Sequence, residues 1–195
     1  MSGRSVVLYS ARVRVPGEEW TDGVIRLRRF VAADAPAVAR ACDDEVSARF
    51  LPGLPFPYGE EDARAYVAWC DELWHEAQRF PFAVVDPATD ALLGAIDVRP
   101  VGGGSDVGYW IAPWARGRGV ASRALRLVVD IAFRDLGAKQ LELETHLDNA
   151  ASQRVAEAAG FVRVATVDAH VAFRDGSVAR ARYRIRRETR ANRPG

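Results

Sequence analysis

A basic, glycine-containing loop is the segment of this sequence best suited to chemistry. It reads Arg116-Gly-Arg-Gly-Val-Ala-Ser122 and lies between an apolar stretch and a long amphipathic one. The first N–H groups of a helix have no partner within the helix, and the helix dipole gives that end a partial positive charge. Gly117 and Gly119 would let a ligand approach the backbone closely, and Arg116 and Arg118 add charge. The loop therefore favours a phosphate-bearing ligand.

The loop alone leaves several interpretations open. A tight turn with two solvated arginines could have the same composition. A dinucleotide site is disfavoured, because Ser122 stands where the third glycine would lie and the loop follows hairpin strands rather than an opening βαβ unit. A Walker-type phosphate loop is excluded, because the sequence has no Gly-Lys-Ser/Thr. CoA is the remaining candidate, and it depends on the neighbouring segments.

Those segments, together with the loop, resemble one family. Arg116-x-x-Gly119-x-Ala121 resembles the Q/R-x-x-G-x-G/A signature of the GNAT superfamily of N-acetyltransferases. Asp106-Val-Gly-Tyr-Trp-Ile-Ala-Pro113 resembles the E-I-G-Y-W-L-x-P strand of its RimJ/RimL-type branch, which acetylates protein N-termini. Asn149-Ala-Ala-Ser-Gln-Arg-Val-Ala-Glu-Ala-Ala-Gly-Phe161 resembles the branch's N-x-x-S-x-x-V-x-x-x-x-G-F, and Pro57-Tyr-x-Glu-x-Asp-Ala63 resembles the segment before its second helix. The resemblance covers roughly Val24 to Arg186.

The resemblance implies a site for acetyl-CoA as cosubstrate, without a metal. The pyrophosphate would lie on the backbone of the glycine loop, and the pantetheine and acyl carbonyl along Val107–Ala112. Gly108 would form a bulge that helps this strand splay from its neighbour, or would be a glycine required by packing alone. Asn149 would bind the pantetheine amides, or simply cap a helix. The residues expected to bind acetyl-CoA are Trp110, Ile111, Ala112, Arg116, Gly117, Arg118, Gly119, Val120, Ala121, Ser122, Asn149 and Ser152.

Two side chains are expected to be catalytic by the same resemblance. Ser152 would hydrogen-bond or protonate the departing thiolate, because Ala156 stands where many family members have a tyrosine. Asp106 stands at the family's glutamate and would accept the proton of the attacking amine, or close a turn instead. A further glutamate of the branch is replaced by Ala172, which makes His170 the nearest alternative base.

The apolar patterns predict the elements that position these residues. Hairpin strands combined with two strand–helix–strand crossovers predict an α/β (α+β) fold. By resemblance this is the GNAT fold, a mixed central sheet with splayed central strands flanked by helices. Strands are predicted at Val24–Phe30, Phe82–Val85, Leu92–Val98, Val107–Ala112, Leu141–Thr145, Phe161–Ala172 and Ala179–Arg186. Helices are predicted at Ala35–Cys42 with Asp34 as cap, Glu60–Arg79, Val120–Leu136 ended by Gly137, and Asn149–Ala159, with a loop at Leu51–Tyr58.

Composition indicates one globular domain. The 195 residues are 49% hydrophobic and 27% charged. We expect an N-terminal extension over residues 1–22 with possible strands at Val6–Tyr9 and Arg12–Val15. The GNAT domain would span residues 23–187, followed by a tail at 188–195.

Charge and cysteine content restrict the partners. A formal net charge of +1 gives no electrostatic case for nucleic acid, and no apolar run reaches the roughly 18–20 residues of a membrane helix. Cys42 and Cys70 are isolated and expected to be buried, reduced thiols of a soluble, cytoplasmic protein. The expected partners are acetyl-CoA and an amine acceptor, which is a protein N-terminus or a small primary amine, bound by a monomer or homodimer. A non-catalytic acyl-CoA-binding or sensing module is the alternative.

Two groups of side chains have more than one interpretation. Arg182, Arg184 and Arg186 share a strand face that is either solvated or directed at an acidic acceptor or the 3′-phosphate of CoA. Trp69 and Trp74 belong either to the core or to the acceptor site.

Overall fold

The computed structural model describes residues 19–101 and 104–187. Within these residues a single mixed sheet has the strand order β1-β2-β3-β4-β5-β6-β8-β7. The strands are β1 (Glu19–Thr21), β2 (Arg26–Arg28), β3 (Phe80–Val85), β4 (Leu92–Val101), β5 (Gly104–Ile111), β6 (Gln140–His146), β7 (Val162–Asp168) and β8 (Ala179–Arg186). The helices are α1 (Ala35–Cys42), α2 (Glu45–Phe50), α3 (Glu60–His75), α4 (Val120–Arg134) and α5 (Ala150–Ala158). The predicted α/β class and mixed sheet are confirmed.

The sheet splits between β5 and β6. The β4–β5 ladder runs from Gly94 opposite Ile111 to Val101 opposite Gly104. The parallel β5–β6 ladder, by contrast, has register pairs only from Ser105 to Val107 among the described residues. Beyond Val107 the two strands diverge and leave a gap, so the predicted splay is confirmed. The predicted bulge at Gly108 is wrong, because the β4–β5 register is continuous through that residue.

Helices cover both faces of the sheet. On one face α4 buries an apolar side that includes Leu125, Val128 and Ile131, each at 0% exposure. Each such side chain removed from water contributes about 1.5–3 kcal/mol. On the other face α1 and α3 bury Val38, Val67 and Cys70 against β3 and β4. The candidate site therefore lies at the edge of this core, where the segment after β5 leads into α4.

The bounds of several elements differ from those predicted. α3 ends at His75, before the predicted Arg79, and α2 was not predicted at all. The sheet takes in Glu19–Thr21, which pairs with β2 although the sequence assigned it to the extension. The possible strands Val6–Tyr9 and Arg12–Val15 and the tail at 188–195 lie outside the described residues.

Asp34 does not cap α1 as predicted. Its side chain makes no cap hydrogen bond to that helix and instead accepts two hydrogen bonds from the buried Arg28, at 2.8 and 2.9 Å. Arg28 also donates to Asp90 in the β3–β4 turn at 2.9 Å. A guanidinium at 7% exposure needs such partners, because an uncompensated buried charge is costly. The aspartate therefore holds Arg28 of β2, and it also accepts from the Val31 N–H at 2.9 Å in the turn before α1.

Among the described residues, each helix is too short or too polar to cross a lipid bilayer.

Candidate active site

A cavity of about 480 Å³ opens where β5 leads into the N-terminus of α4. Its lining contains ten of the residues predicted to bind acetyl-CoA: Trp110, Ile111, Arg116, Gly117, Gly119, Val120, Ala121, Ser122, Asn149 and Ser152. Arg118 is exposed and lies outside this lining. Ala112 also lies outside this lining; it is completely buried, and its N–H donates to the Leu93 carbonyl at 2.9 Å.

The glycine loop presents an open helix terminus to this cavity. Gly119 is the N-cap of α4 with a φ of 75°, and Gly117 has a φ of 72°. Side chains other than glycine rarely adopt this left-handed conformation. No side chain caps this terminus among the described residues, and a Cβ placed on either glycine would meet no described atom within 4 Å. The amides of the first helical turn are thus available to an anion.

Arg116 holds this loop against α2. Its Nη2 donates to Asp44 Oδ2 at 2.5 Å and to Ser47 Oγ at 3.0 Å, while its Nε donates to the Ile111 carbonyl at 3.2 Å. Asp44 also caps α2 by accepting from the Ser47 N–H at 2.8 Å. Burial opposes the ionisation of Asp44, but the bonds from Arg116 and Ser47 outweigh it and lower the pKa of Asp44. The charge of Arg116 is therefore neutralised locally, contrary to the expectation that it serves the ligand.

The backbone of β5 turns alternate amides toward the gap. The bond from Ala112 to Leu93 fixes the phase of the antiparallel ladder, so Trp110 and Ala112 direct their N–H groups to β4. Tyr109 and Ile111 direct theirs to the opposite side, from which β6 has diverged. The Ile111 carbonyl agrees with this phase, because it accepts from Arg116 across the cavity. The backbone N–H groups of Tyr109 and Ile111 are therefore available as donors in the gap.

Ser152 lies in the first turn of α5, beside Tyr109. The Ser152 N–H donates to Asn149 Oδ1 at 3.0 Å, which confirms Asn149 as the helix cap. The Ser152 hydroxyl lies 2.9 Å from the Tyr109 hydroxyl. Burial raises the pKa of Tyr109 to about 12, although the contact with Ser152 works in the opposite direction. Tyr109 is therefore a neutral phenol near pH 7 and can donate to the serine.

Sequence reasoning gave Tyr109 no role. The alternation of β5 was a usable signal, because Tyr109 shares its face with Val107, which packs against the core beneath α4. That parity directs the phenol to the side of the sheet where α5 and Ser152 lie.

Asp106 lies within β5 and not in the predicted turn. Both of its carboxylate oxygens accept from Arg99 on β4, Oδ1 from Nε at 3.0 Å and Oδ2 from Nη2. It lines a charged cavity of about 650 Å³ that also includes Glu144 and Arg182. Glu144 additionally lines a cavity of about 100 Å³ in the gap, together with Ser152. The carboxylate that shares a cavity with Ser152 is therefore Glu144, which the sequence did not single out.

The remaining candidate side chains lie away from Ser152 or are already paired. His170 is exposed, lies beyond the end of β7 and lines neither cavity described above that contains Ser152. Arg182 donates to Glu144 at 2.6 Å and Arg184 to Glu142 at 2.5 Å across the β6–β8 ladder, so their charges are compensated. Trp74 belongs to the core, where its Nε1 donates to the Pro81 carbonyl at 2.7 Å.

A split sheet, an open helix terminus at the gap and a serine on the next helix are together typical of acyl-CoA-dependent transferases. Residues 25–162 match the family described as the acetyltransferase (GNAT) domain, and the chain belongs to that family.

Individual relatives agree with this assignment. A probable N-acetyltransferase of Bacillus subtilis, YjcK, is 29% identical over 108 residues, which span 53% of this chain and 60% of that protein. The solved structure of Mycobacterium smegmatis RimJ in complex with CoA-disulfide superposes with a TM-score of 0.76 at 18% identity, covering 89% of this chain and 87% of that one. A GNAT-family acetyltransferase from Bacillus anthracis gives a TM-score of 0.76 at 22% identity over 87% and 99% of the respective chains. At these identities the structures show a shared fold.

Proposed function

We propose that this protein transfers an acetyl group from acetyl-CoA to a primary amine, by direct attack of the amine in a ternary complex. The observation that carries the proposal is the open N-terminus of α4, which faces the same cavity as the gap between β5 and β6 and Ser152. A polyanion with a long thioester arm fits this arrangement, because its phosphates meet the helix amides while its acyl end reaches the gap.

The amides of Tyr109 and Ile111 would bind the thioester oxygen. As the amine nitrogen bonds to the carbonyl carbon, negative charge develops on that oxygen, and donors already aimed at it stabilise the transition state. The carbon–sulfur bond then breaks and the sulfur leaves as a thiolate. Ser152 would hydrogen-bond this sulfur, with Tyr109 donating to the serine and directing its proton outward.

The proton of the amine would leave on the charged side of the gap. Glu144 supports this assignment better than Asp106, because it shares a cavity with Ser152 and Tyr109. Its carboxylate is held by Arg182 Nε at 2.8 Å, so a water between carboxylate and amine is the expected route. Asp106, fully engaged by Arg99, would set the local field without contacting the amine.

The thiols support a reducing compartment. Cys42 and Cys70 are both buried and unpaired by a disulfide, and burial raises the pKa of each to about 12. This is the state expected in the cytoplasm.

Turnover of acetyl-CoA tests the proposal. Free CoA is measured with and without a panel of N-terminal peptides, aliphatic amines and arylalkylamines. Release that depends on one class of amine, with the acetylated amine detected by mass, supports acetyl transfer. Tight acetyl-CoA binding without any amine-dependent release would instead indicate the non-catalytic binding module.

A further inference from the structure

A second cavity lies on the opposite face of the sheet from the glycine loop. It has a volume of about 200 Å³ and lies between α3, the Pro-rich loop and strands β4 and β5. A cavity of about 150 Å³ is large enough for a benzene ring. The lining side chains that matter here are Tyr58, Tyr66, Trp69, Trp110, Arg79 and Asp97.

The walls of this cavity are aromatic. Tyr66 and Trp69 lie one helical turn apart on α3, with ring centroids 6.3 Å apart and planes tilted by 51°. Trp69 is 44% exposed, which is unusual for so large an apolar side chain and leaves its indole at the mouth of the cavity. Tilted rings of this kind accept a further ring in an edge-to-face or offset arrangement.

The floor of the cavity carries a compensated carboxylate. Asp97 Oδ1 accepts from Arg79 Nη2 at 3.1 Å and from the Gly108 N–H at 3.2 Å. Asp97 Oδ2 lies 2.8 Å from Arg79 Nε. A carboxylate has about four acceptor positions, so these contacts leave room for one amine N–H on Oδ2. Because Arg79 already balances the charge, the site suits a single amine better than a polycation.

The cavity adjoins the gap between β5 and β6. Gly108 and Tyr109 line it, and both also line the cavity in the gap that contains Ser152. A molecule seated among the aromatic rings would thus extend its amine toward the thioester from the face opposite the glycine loop.

We propose that the acceptor is an arylalkylamine, whose ring occupies this aromatic cavity and whose primary amine reaches the gap beside Tyr109. This inference rests on the proposed acetyl transfer and specifies its substrate class. The ring is held between Tyr66, Trp69 and Trp110, and the amine passes Asp97 on its way to the thioester. The two-carbon arm of 2-phenylethylamine makes it a suitable probe.

Calorimetry on the CoA-loaded protein tests the subsite independently of turnover. 2-Phenylethylamine should bind at least tenfold more tightly than propylamine, which keeps the amine and lacks the ring. Trp69→Ala should weaken 2-phenylethylamine at least fivefold and leave propylamine unchanged, while Trp69→Phe should retain most of the preference. Trp114→Ala is the matched control, because Trp114 is 43% exposed and lies outside the aromatic cavity.

The two proposals fail in different ways. If propylamine or spermidine binds and is acetylated as well as 2-phenylethylamine, or if Trp69→Ala has no effect, the aromatic subsite is refuted while acetyl transfer stands. If 2-phenylethylamine binds with the expected dependence on Trp69 but no acetylated product forms, the proposed function fails while the subsite stands. Unchanged acetyl-CoA affinity and melting temperature in each variant show that the fold is intact.

Discussion

The contact between Tyr109 and Ser152 predicts a specific pattern of non-additive effects on kcat. Tyr109→Phe removes the hydroxyl that lies 2.9 Å from the Ser152 hydroxyl and keeps the ring. A neutral hydrogen bond contributes about 0.5–1.5 kcal/mol, so kcat should fall roughly 2- to 13-fold. Ser152→Ala removes a bond to a developing thiolate, worth about 1.5–3 kcal/mol, and should lower kcat roughly 10- to 150-fold.

The double variant, Tyr109→Phe with Ser152→Ala, should have a kcat within about twofold of that of Ser152→Ala alone. The phenol acts through the serine, so it has nothing left to orient once the serine is gone. Single-turnover release of CoA is the assay, because slow product release could hide the chemical step. Tyr183→Phe is the matched control, since the Tyr183 hydroxyl lies 3.3 Å from Gln153 and Glu157 on the same helix, outside the cavity. Fully multiplicative losses for Tyr109→Phe and Ser152→Ala would refute the coupling.

Three further predictions concern the loop, its support and the thiols. Gly119→Val should weaken CoA binding, measured by calorimetry, at least tenfold, or about 1.4 kcal/mol. The control is Gly137→Val, which introduces the same backbone strain at the other end of α4, where φ is 66°, and should leave the affinity for CoA unchanged. Asp44→Asn should cost about 1–2 kcal/mol of unfolding free energy at pH 7. Because folding lowers the pKa of Asp44, the difference in unfolding free energy between the two proteins should shrink as pH falls below about 4. If urea denaturation shows the same difference down to about pH 3, the ion pair is contradicted. Cys42 and Cys70, each with a pKa raised to about 12, should resist a disulfide reagent at pH 8 until urea unfolds the protein; rapid labelling of the native protein would show that they are accessible.

The elements with strong periodicity could be predicted from the sequence. α1 and β8 have the predicted bounds: Pro36 lies in the first turn of a short apolar helix, and alternating arginines mark the last strand. α2 was missed because its six residues are too few to show a 3.6-residue period. Its start is capped locally by Asp44 through the Ser47 N–H, and Arg116, distant in sequence, contacts that aspartate.

The sequence predicts the parts of the candidate site that consist of backbone groups, such as the glycine loop, better than the parts that depend on side-chain pairs. The glycine loop needs a strand, two glycines and a helix in order, all of which are local. Arg116 pairs with Asp44 and Asp106 with Arg99, and such pairs are set by tertiary packing. For the same reason Glu144 reads in sequence as one residue of a solvated strand face.

Among the described residues, the two parts of the sheet on either side of the gap share only the three register pairs of the short β5–β6 ladder. Strands β6, β8 and β7 are joined to one another by longer antiparallel ladders, and so are β3, β4 and β5. The short ladder between these two groups should open more readily than the ladders within either group, so backbone amides beside it should exchange with solvent sooner than those within the groups. A ligand that binds in the gap and contacts both parts of the sheet holds them together. Because it binds only the folded protein, the free energy of unfolding should rise as the site becomes more fully occupied.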